Sequence, residues 1–297
     1  MIPLFMACAA PVDLGAPQWP TEGCTSVHRP VWGHTLTRGE EVWFRTEDGE
    51  SIAGAVVAPV IDGCWPALLL VPPGFEGGLD AADELTTQQI AGAGVVVLAY
   101  DPRGRGDSTG DEDHVGARQQ DDLAAVLSWL AARGEVDPTR VHVRTRSLGI
   151  AQAAGAVHRH PVLAPAGLFD LEGPGILPDD LAYANDHANE TWDGVAGDED
   201  WWLERSPREH LGAFAGDYLR VQAQEDHALG GFKGHAKALL NTAEDGAARS
   251  VRLNGVALSA ISDEGQWHDD DVEDLSLEGR VKHDDPRALA LLLEMLR

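Results

Sequence analysis

Ser147 is the residue of this sequence best placed to act as a nucleophile. The segment 141–146 alternates valine with longer polar residues, which predicts a strand, and the alanine-rich segment 148–157 predicts a helix. Ser147 therefore lies at a sharp strand-to-helix turn, and the two positions where bulky side chains would clash hold Thr145 and Gly149. Such a turn exposes the serine oxygen above the sheet and directs the next backbone N–H toward an incoming carbonyl, as acyl transfer requires.

Two acidic clusters could bind calcium, but neither has the pattern of a calcium loop. Residues 111–114 and 269–271 lack the alternating ligands and the bend glycine of such a loop. No zinc-ligand spacing and no phosphate-binding glycine loop occurs in the sequence. We therefore predict no metal and no cofactor, and we interpret both clusters as solvated acidic loops.

The elements around Ser147 alternate strands and helices, and this order predicts a mostly parallel sheet with helices on both faces. A hairpin over 41–46 and 51–60 precedes two buried apolar strands, 64–71 and 94–100. Further strands are expected at 163–169, 218–223 and 250–258, and helices at 81–93, 119–133, 232–243 and 286–296. Because the chemistry of such sheets lies at the carboxyl ends of the strands, the polar loops that follow these strands form the expected site.

The composition excludes several classes of function. The chain has 297 residues, 43% of them hydrophobic, which is enough for a sizeable core. Its 49 acidic and 22 basic residues give a formal charge of −27, which repels nucleic acids and anionic membranes. We expect no nucleic-acid partner, and no stretch of the sequence has the length of a transmembrane segment.

The leader, residues 1–38, is expected to be irregular and begins with the apolar segment Met1–Pro11. This segment is similar to the end of a bacterial lipoprotein signal, in which Cys8 would carry a lipid anchor; a floppy apolar tail is the alternative. After an export signal Cys24 and Cys64 could form a disulfide, whereas in the cytosol they would be unrelated thiols. An extracytoplasmic location is accordingly favoured over a cytoplasmic one.

Four segments in order resemble the α/β-hydrolase fold from about Glu41 to the C-terminus. They are Leu68–Phe75, Tyr100–Ser108, Arg146–Gly149 and Gln224–His227. The second is similar to the loop after strand four in esterases, dienelactone-hydrolase-like proteins and acyl-peptidases of the prolyl oligopeptidase type. The resemblance implies one α/β-hydrolase domain over residues 39–297, with an N-terminal antiparallel hairpin and a small cap insertion at about 175–215.

The resemblance also implies a serine hydrolase that uses a nucleophile, a histidine and an acid. Ser147 is the expected nucleophile, and Asp226, at the end of the matching strand, is the expected acid. The oxyanion hole is expected from the backbone N–H groups of Leu148 and Phe75.

The histidine base is expected in the loop after the last strand, where His268 is the candidate. The three aspartates that follow it would raise its pKa unless they point to solvent, and a raised pKa hinders a general base at neutral pH. His227, next to the expected acid, and His235 are the alternatives. Asp170 and Glu172 follow a neighbouring strand, where some relatives carry an alternative acid.

The cap insertion contains more tryptophan than a solvated loop needs. We predict that Trp192, Trp201 and Trp202 line a substrate pocket over Ser147. The expected substrate is a small-molecule carboxylic ester, with amides as an alternative, so the expected activity is of the carboxylesterase type. The second hypothesis is a catalytically inactive binding or interaction protein on the same fold, in which the serine is kept and the histidine is lost.

Overall fold

The computed structural model describes residues 10–22, 24, 36–74, 76–175, 198–227, 229, 231–261, 265–282 and 284–297. Within these residues one ten-stranded sheet has the order β1-β2-β3-β5-β4-β6-β7-β8-β9-β10. The strands are β1 (Val12–Asp13), β2 (Thr37–Arg45), β3 (Ser51–Pro59), β4 (Trp65–Val71), β5 (Val96–Tyr100), β6 (Val136–Arg146), β7 (Gly167–Leu171), β8 (Asp217–Val221), β9 (Ser250–Leu253) and β10 (Val256–Ala257). The neighbours from β5 to β9 are parallel, and β2 and β3 form an antiparallel hairpin. The predicted fold class is confirmed.

Helices cover both faces of the sheet. They are α1 (Asp80–Asp83), α2 (Leu85–Gly92), α3 (Ala117–Ala131), α4 (Gly149–Arg159), α5 (Glu199–Arg205), α6 (Pro207–His210), α7 (Gly234–Asp245), α8 (Asp269–Leu275) and α9 (Pro286–Met295). One hydrophobic core lies between the sheet and α3, α4 and α7, and a second lies between the sheet and α2 and α9. Strand β4 is buried on both faces, as its continuous apolar run predicts.

The predicted strand 250–258 is wrong in one respect, because it is a hairpin. Strands β9 and β10 pair in antiparallel fashion around Asn254 and Gly255. These two residues have φ values of 49° and 88°, which is the left-handed conformation that an Asn-Gly turn adopts readily. The Asn-Gly pair was a recognisable hairpin signal within an otherwise apolar run.

Two further expectations about helices are corrected. The expected acidic loop after residue 259 contains α8, whose first turn holds Asp269, Asp270 and Asp271, because carboxylates stabilise a helix N-terminus. The expected helix 81–93 is divided into α1 and α2 at Glu84, which has extended backbone angles of φ −62° and ψ 141°.

The leader is ordered where the structure describes it. Strand β1 pairs in parallel with the end of β2, with Val12 opposite Phe44. Cys24 and Cys64 form a disulfide, with Cα atoms 5.6 Å apart, which ties the leader to the start of β4. Cys8 lies outside the described residues, so the lipid anchor stays a prediction. No helix in the described ranges is both long and apolar enough to cross a membrane.

Burial of His142 in β6 makes the stability of this fold sensitive to acid. Burial lowers the pKa of His142 to about 4, helped by the charge of Arg140, whereas an unfolded histidine titrates near 6.5. Between these pH values His142 binds a proton in the unfolded chain but not in the folded chain. The free energy of unfolding therefore keeps the full contribution of His142 above about pH 6.5 and loses it as the pH falls toward 4.

We expect His142→Leu to reduce this acid-induced loss by about 3 kcal/mol between pH 6.5 and 4. Urea unfolding at a series of pH values measures the effect. The exposed His158→Leu is the matched control for the loss of a histidine. Parallel pH curves for wild type and His142→Leu would contradict the prediction.

Candidate active site

Ser147 has the strained backbone that the strand-to-helix turn requires. Its φ is 50°, a left-handed value that costs a non-glycine residue about 1–3 kcal/mol. The turn is held by its neighbours: the Ser147 N–H donates to the Leu171 carbonyl at 3.0 Å, and the Ile150 N–H donates to the Ser147 carbonyl at 3.2 Å. The side chain of Ser147 is half-buried at the carboxyl edge of the sheet.

Thr145 and Gly149, the small residues on either side of Ser147, are in different surroundings. A Cβ atom on Gly149 would lie 2.9 Å from the carbonyl oxygen of Pro72 and 3.0 Å from that of Val71, so the start of α4 packs directly on the end of β4. Thr145 is buried, with its Oγ1 3.4 Å from Asp170 Oδ1. The steric argument made from the sequence therefore applies most strictly at Gly149.

Leu148, whose backbone N–H is one of the two predicted oxyanion donors, is the N-cap residue of α4. Among the described residues no acceptor takes a hydrogen bond from this N–H, and the helix N-terminus adds a favourable dipole for negative charge. The second predicted donor, Phe75, lies outside the described residues. The residues around it, 72–74 and 76–79, form the loop after β4, which we call the oxyanion loop.

Two side chains from the loop after β5 hold the oxyanion loop in place. The Asp101 carboxylate accepts from the Gly78 N–H at 2.5 Å, the Leu79 N–H at 3.0 Å and the Asp107 N–H at 2.8 Å. Arg105 donates to the Gly74 carbonyl and is itself fixed by Glu112 at 2.6 Å. This supporting role of Asp101 and Arg105 was not predicted from the sequence.

Asp226, the expected acid, is buried among hydrogen-bond donors. Its carboxylate accepts from the Leu229 N–H at 2.9 Å and from Gln222 Nε2 at 3.0 Å. His235 Nε2 lies 3.4 Å from Oδ2 and His227 Nδ1 lies 3.7 Å from Oδ1. Burial raises the pKa of Asp226, but the contacts with His235, Leu229 and Gln222 outweigh it and hold this pKa well below its usual range.

A second carboxylate, Glu172, is bound directly to a histidine. His227 Nδ1 and Glu172 Oε2 are 2.8 Å apart, and the His227 N–H also donates to Oε2 at 3.3 Å. The Ala223 N–H donates to Oε1 at 3.1 Å, which fixes the carboxylate across the ends of β7 and β8. The Glu172 side chain is 1% exposed, whereas that of His227 is 26% exposed. Glu172 and His227 thus form a histidine–carboxylate pair at the carboxyl edge.

The other two candidate bases occupy different surroundings. His235 is buried at the start of α7, and burial lowers its pKa to about 4 against the opposing charge of Asp226. His268 is exposed and is the N-cap residue of α8, where its backbone N–H donates to Asp271 Oδ2 at 2.8 Å. The contacts given for Asp226 therefore bring His227 and His235 to the expected acid, and those given for His268 place it at the start of α8.

A buried chain of polar groups connects the ends of β7 and β8. Arg220 Nη1 donates to Asp170 Oδ2 at 2.5 Å, and Arg220 Nη2 donates to Gln222 Oε1 at 2.6 Å. Gln222 in turn donates to Asp226, and Tyr218 donates its hydroxyl to Asp170 Oδ2 at 2.8 Å. Asp170 is thus paired with Arg220, whereas Glu172, which follows the same strand, is paired with His227.

Among the residues that the structure describes, Glu172, Asp226 and His227 form the group that could hold a metal ion, since their ligand atoms lie within 4.8 Å of one another. Their atoms are engaged in the hydrogen bonds described above. Lys233 Nζ adds a fixed positive charge beside them, where it donates to the Ala223 and Gln224 carbonyls at 2.7 Å. This charge opposes a cation at the cluster.

The two acidic clusters of the sequence have protein partners. Glu112 pairs with Arg105 at 2.6 Å, and Asp113 lies 3.5 Å from Arg205. The three aspartates of the other cluster form the first turn of α8. These contacts replace the solvated loops that the sequence predicted with ion pairs in one cluster and a helix terminus in the other.

The structure describes two of the three tryptophans that were predicted to line the substrate pocket. Trp192 lies outside the described residues, while Trp201 and Trp202 lie within α5 and pack edge to face, with ring centroids 4.8 Å apart. The guanidinium of Arg205 covers the Trp201 ring at 4.0 Å. Trp202 is buried, so its ring contributes to the packing of the cap.

Comparisons with known proteins match this architecture. The sequence profile of the X-Pro dipeptidyl-peptidase (S15) family matches residues 48–166. An uncharacterized protein of Mycobacterium tuberculosis (strain H37Rv) is 34% identical over 133 residues, which cover 44% of this chain and 46% of that protein. Thiohydrolase apmlB of Arthrinium phaeospermum is 30% identical over 145 residues, 46% of each chain. The chain spans about half the length of the curated relatives it matches.

Solved structures extend the likeness to most of the chain. Puromycin hydrolase superposes with a TM-score of 0.64 at 17% identity, over 88% of this chain and 39% of that one. Acetyl xylan esterase from Paenibacillus sp. R4 superposes with a TM-score of 0.61 at 17% identity, over 90% of this chain and 87% of that one. The protein therefore has the α/β-hydrolase fold of the serine hydrolases, as the sequence predicted.

Proposed function

We propose that the protein is a serine hydrolase that cleaves carboxylic esters through an acyl-enzyme intermediate on Ser147. The observation that carries the proposal is the left-handed Ser147 at the carboxyl edge, at φ 50°, with α4 beginning two residues later. Strain of this kind persists only where the surroundings enforce it, and it is typical of functional sites. The matched peptidase family and the esterase neighbour support the same class of reaction.

The proposed chemistry follows from what a serine hydroxyl needs. An imidazole takes the Ser147 proton as Oγ attacks the carbonyl carbon, and the tetrahedral oxyanion is held by the Leu148 N–H and a second donor from the oxyanion loop, predicted to be Phe75. The imidazolium then gives its proton to the departing alcohol. A water molecule, activated by the same imidazole, hydrolyses the acyl-serine and restores the enzyme.

The described contacts support His227 as the base more strongly than the other candidates. A catalytic imidazole needs a carboxylate on one nitrogen and access to the serine with the other. His227 has Glu172 on Nδ1 at 2.8 Å and remains partly exposed. Glu172 directly follows Leu171, whose carbonyl accepts a hydrogen bond from the Ser147 N–H, so the backbone of Glu172 continues the strand next to the one that carries the nucleophile.

The proposed acid is therefore shared between two carboxylates. Glu172 binds His227 directly, and Asp226 adds a second negative charge 3.7 Å from the same nitrogen. Both would stabilise the imidazolium that forms during the reaction. His268 and His235 remain the alternative bases, and Trp201 and Trp202 remain proposed pocket residues.

A fluorophosphonate probe tests the proposed function. We expect the probe to form a covalent adduct on Ser147, identified by mass spectrometry of the tryptic peptide, because only an activated serine reacts at a useful rate. Heat-unfolded protein and the Ser147→Ala variant are the controls and should stay unlabelled. Parallel assays with a nitrophenyl ester and a nitroanilide separate esters from amides as the substrate class.

A second candidate function rests on a specific observation about the same serine. Within the described residues the Ser147 Oγ has no hydrogen-bond partner. Catalytic hydrogen bonds are often long in unliganded enzymes and tighten in the complex. A folded protein that the probe leaves unlabelled would favour a non-catalytic binding protein on this fold over a hydrolase.

A further inference from the structure

Two consecutive residues in the loop after β5, His114 and Val115, have a left-handed backbone. Their φ values are 51° and 62°, and for a β-branched residue such as Val115 this conformation is a genuine outlier. Both residues lie in the turn 113–116 that leads into α3, which we call the strained turn. Strain of this kind persists only where the surroundings enforce it, and it is concentrated at functional sites. The groups that hold the strained turn therefore indicate its role.

Arg205, the last residue of α5, holds the strained turn from one side. Its Nε donates to the His114 carbonyl at 3.2 Å, and its Nη2 donates to the Asp113 carbonyl at 3.1 Å. Arg205 is buried, and its guanidinium is fixed by a hydrogen bond of 3.0 Å to the Trp201 carbonyl and by the Trp201 ring. A Cβ on Gly116 would lie 2.1 Å from Arg205 Nη2, so the guanidinium packs directly on the turn.

Gln119 of α3 holds the strained turn from the other side. The carbonyl that Arg205 binds belongs to the peptide group between His114 and Val115. The N–H of the same peptide group donates to Gln119 Oε1 at 2.7 Å. Gln119 is buried, and its Nε2 donates to Glu112 Oε1 at 2.9 Å. Rotation about the backbone of either strained residue would turn this peptide group, so the left-handed conformation directs its carbonyl to Arg205 and its N–H to Gln119.

Arg105 continues these contacts to the oxyanion loop. The Glu112 carboxylate accepts from Arg105 Nε at 2.6 Å and Nη2 at 2.9 Å, and the His114 N–H donates to it at 2.7 Å. Arg105 Nη2 also donates to Gln119 Oε1 at 3.3 Å. From Nη1, Arg105 donates to the Gly74 carbonyl in the oxyanion loop. A continuous series of hydrogen bonds thus joins α5 to the oxyanion loop through the strained turn.

We infer that Arg205 is a positioning residue for the oxyanion loop and acts through the strained turn and Arg105. The inference rests on the proposed function and deepens it. Without the guanidinium the strained turn loses the donors that offset its strain, so we expect it to relax and to shift its hydrogen bonds to Glu112 and Gln119. Arg105 then holds the oxyanion loop less firmly, and displaced oxyanion donors stabilise the transition state less. Binding of the ester in the ground state does not need these donors, so the loss should appear in kcat rather than in KM.

Removal of the guanidinium and relief of the strain test the inference together. We expect Arg205→Met to lower kcat for a short-chain nitrophenyl ester by roughly 10-fold with KM little changed, which is less than the loss of about 10²- to 10³-fold typical of a missing oxyanion donor. Val115→Gly in the same background should restore most of the rate, because glycine adopts the left-handed backbone without strain. Val115→Ala also truncates the side chain but still disfavours this backbone, so it should not restore the rate. The exposed Arg208→Met is the control for the loss of an arginine and should leave kcat unchanged.

Hydrogen exchange keeps the inference separate from the proposed hydrolysis. In folded Arg205→Met the amides of residues 74–79 should exchange roughly 10-fold faster than in wild type, and Val115→Gly should slow them again. If no ester is hydrolysed but exchange changes in this way, the proposed function fails and the positioning of the oxyanion loop by Arg205 stands. Unchanged exchange in Arg205→Met, or a lost rate that Val115→Gly restores no better than Val115→Ala, overturns the inference. Melting temperatures show which variants are folded, and His114→Gly relieves the strain at the less buried of the two residues if Val115→Gly is not.

Discussion

Ser147→Ala should lower kcat for a short-chain nitrophenyl ester by roughly 10⁴- to 10⁶-fold, the range expected when the nucleophile of an acyl-transfer triad is removed. The oxyanion donors and the substrate contacts remain in this variant, so a small residual rate over water is expected. Active-site titration and steady-state assays on the same preparation measure the loss. Undiminished activity in Ser147→Ala would remove Ser147 from the mechanism.

The backbone at this position provides a matched control. The φ of 50° disfavours alanine as much as serine, so Ser147→Ala should melt close to wild type. Ser147→Gly removes the steric penalty and should stabilise the protein by about 1 kcal/mol while abolishing activity equally. Increased stability combined with lost activity would show that the strain at this residue is retained for function.

His227→Ala should reduce kcat for the same ester to a similar extent, about 10⁴-fold or more, because a serine that keeps its hydroxyl proton is a poor nucleophile. Its Glu172 contact at 2.8 Å makes a specific second prediction. Glu172→Gln keeps the shape of the side chain but removes the charge that stabilises the imidazolium, and we expect a loss of roughly 10²- to 10⁴-fold. Asp226→Asn, assayed in parallel, shows which of the two carboxylates contributes more.

Three further histidine variants complete this experiment. His268→Ala and His235→Ala replace the other candidate bases, and His283→Ala covers a histidine that lies outside the described residues. A large loss confined to His268→Ala would assign the base to the loop after the last strand instead. Normal rates in all four variants would exclude these four histidines as the base and with them the proposed mechanism. Circular dichroism and melting temperatures show whether each variant is folded.

Local patterns in the sequence were sufficient to predict the fold class. The continuous apolar run that became β4, the hairpin β2–β3 and the apex serine each depend on residues close together in the chain. Two of the predictions of secondary structure that were wrong concern short local segments. The Asn254-Gly255 turn was predicted to be part of a strand, and the acidic first turn of α8 was predicted to be a loop. The break between α1 and α2 falls at Glu84, whose carboxylate attracts Arg144 in the distant strand β6, an interaction that no local pattern encodes.

The candidate site was harder to predict from the sequence than the fold, because its contacts join residues that are far apart in the chain. Glu172 and His227 are 55 positions apart, and nothing in their spacing predicts a hydrogen bond. A usable signal did exist, since both residues follow strands that become neighbours in the sheet. The individual pairing of His227 with Glu172 depends on the turn after β8, whose geometry no local pattern encodes.

The hydrogen bonds of Asp101 and Arg105 to the oxyanion loop have a consequence for engineering proteins of this fold. A Cβ on Gly78 would lie 2.2 Å from the Tyr100 carbonyl, and a Cβ on Gly106 would lie 2.1 Å from Asp101 Oδ2. The loops after β4 and β5 therefore pack so closely that neither Gly78 nor Gly106 has room for a side chain. Grafting either loop alone from a relative would leave buried N–H groups without acceptors, so a functional chimera has to exchange both loops as a single module.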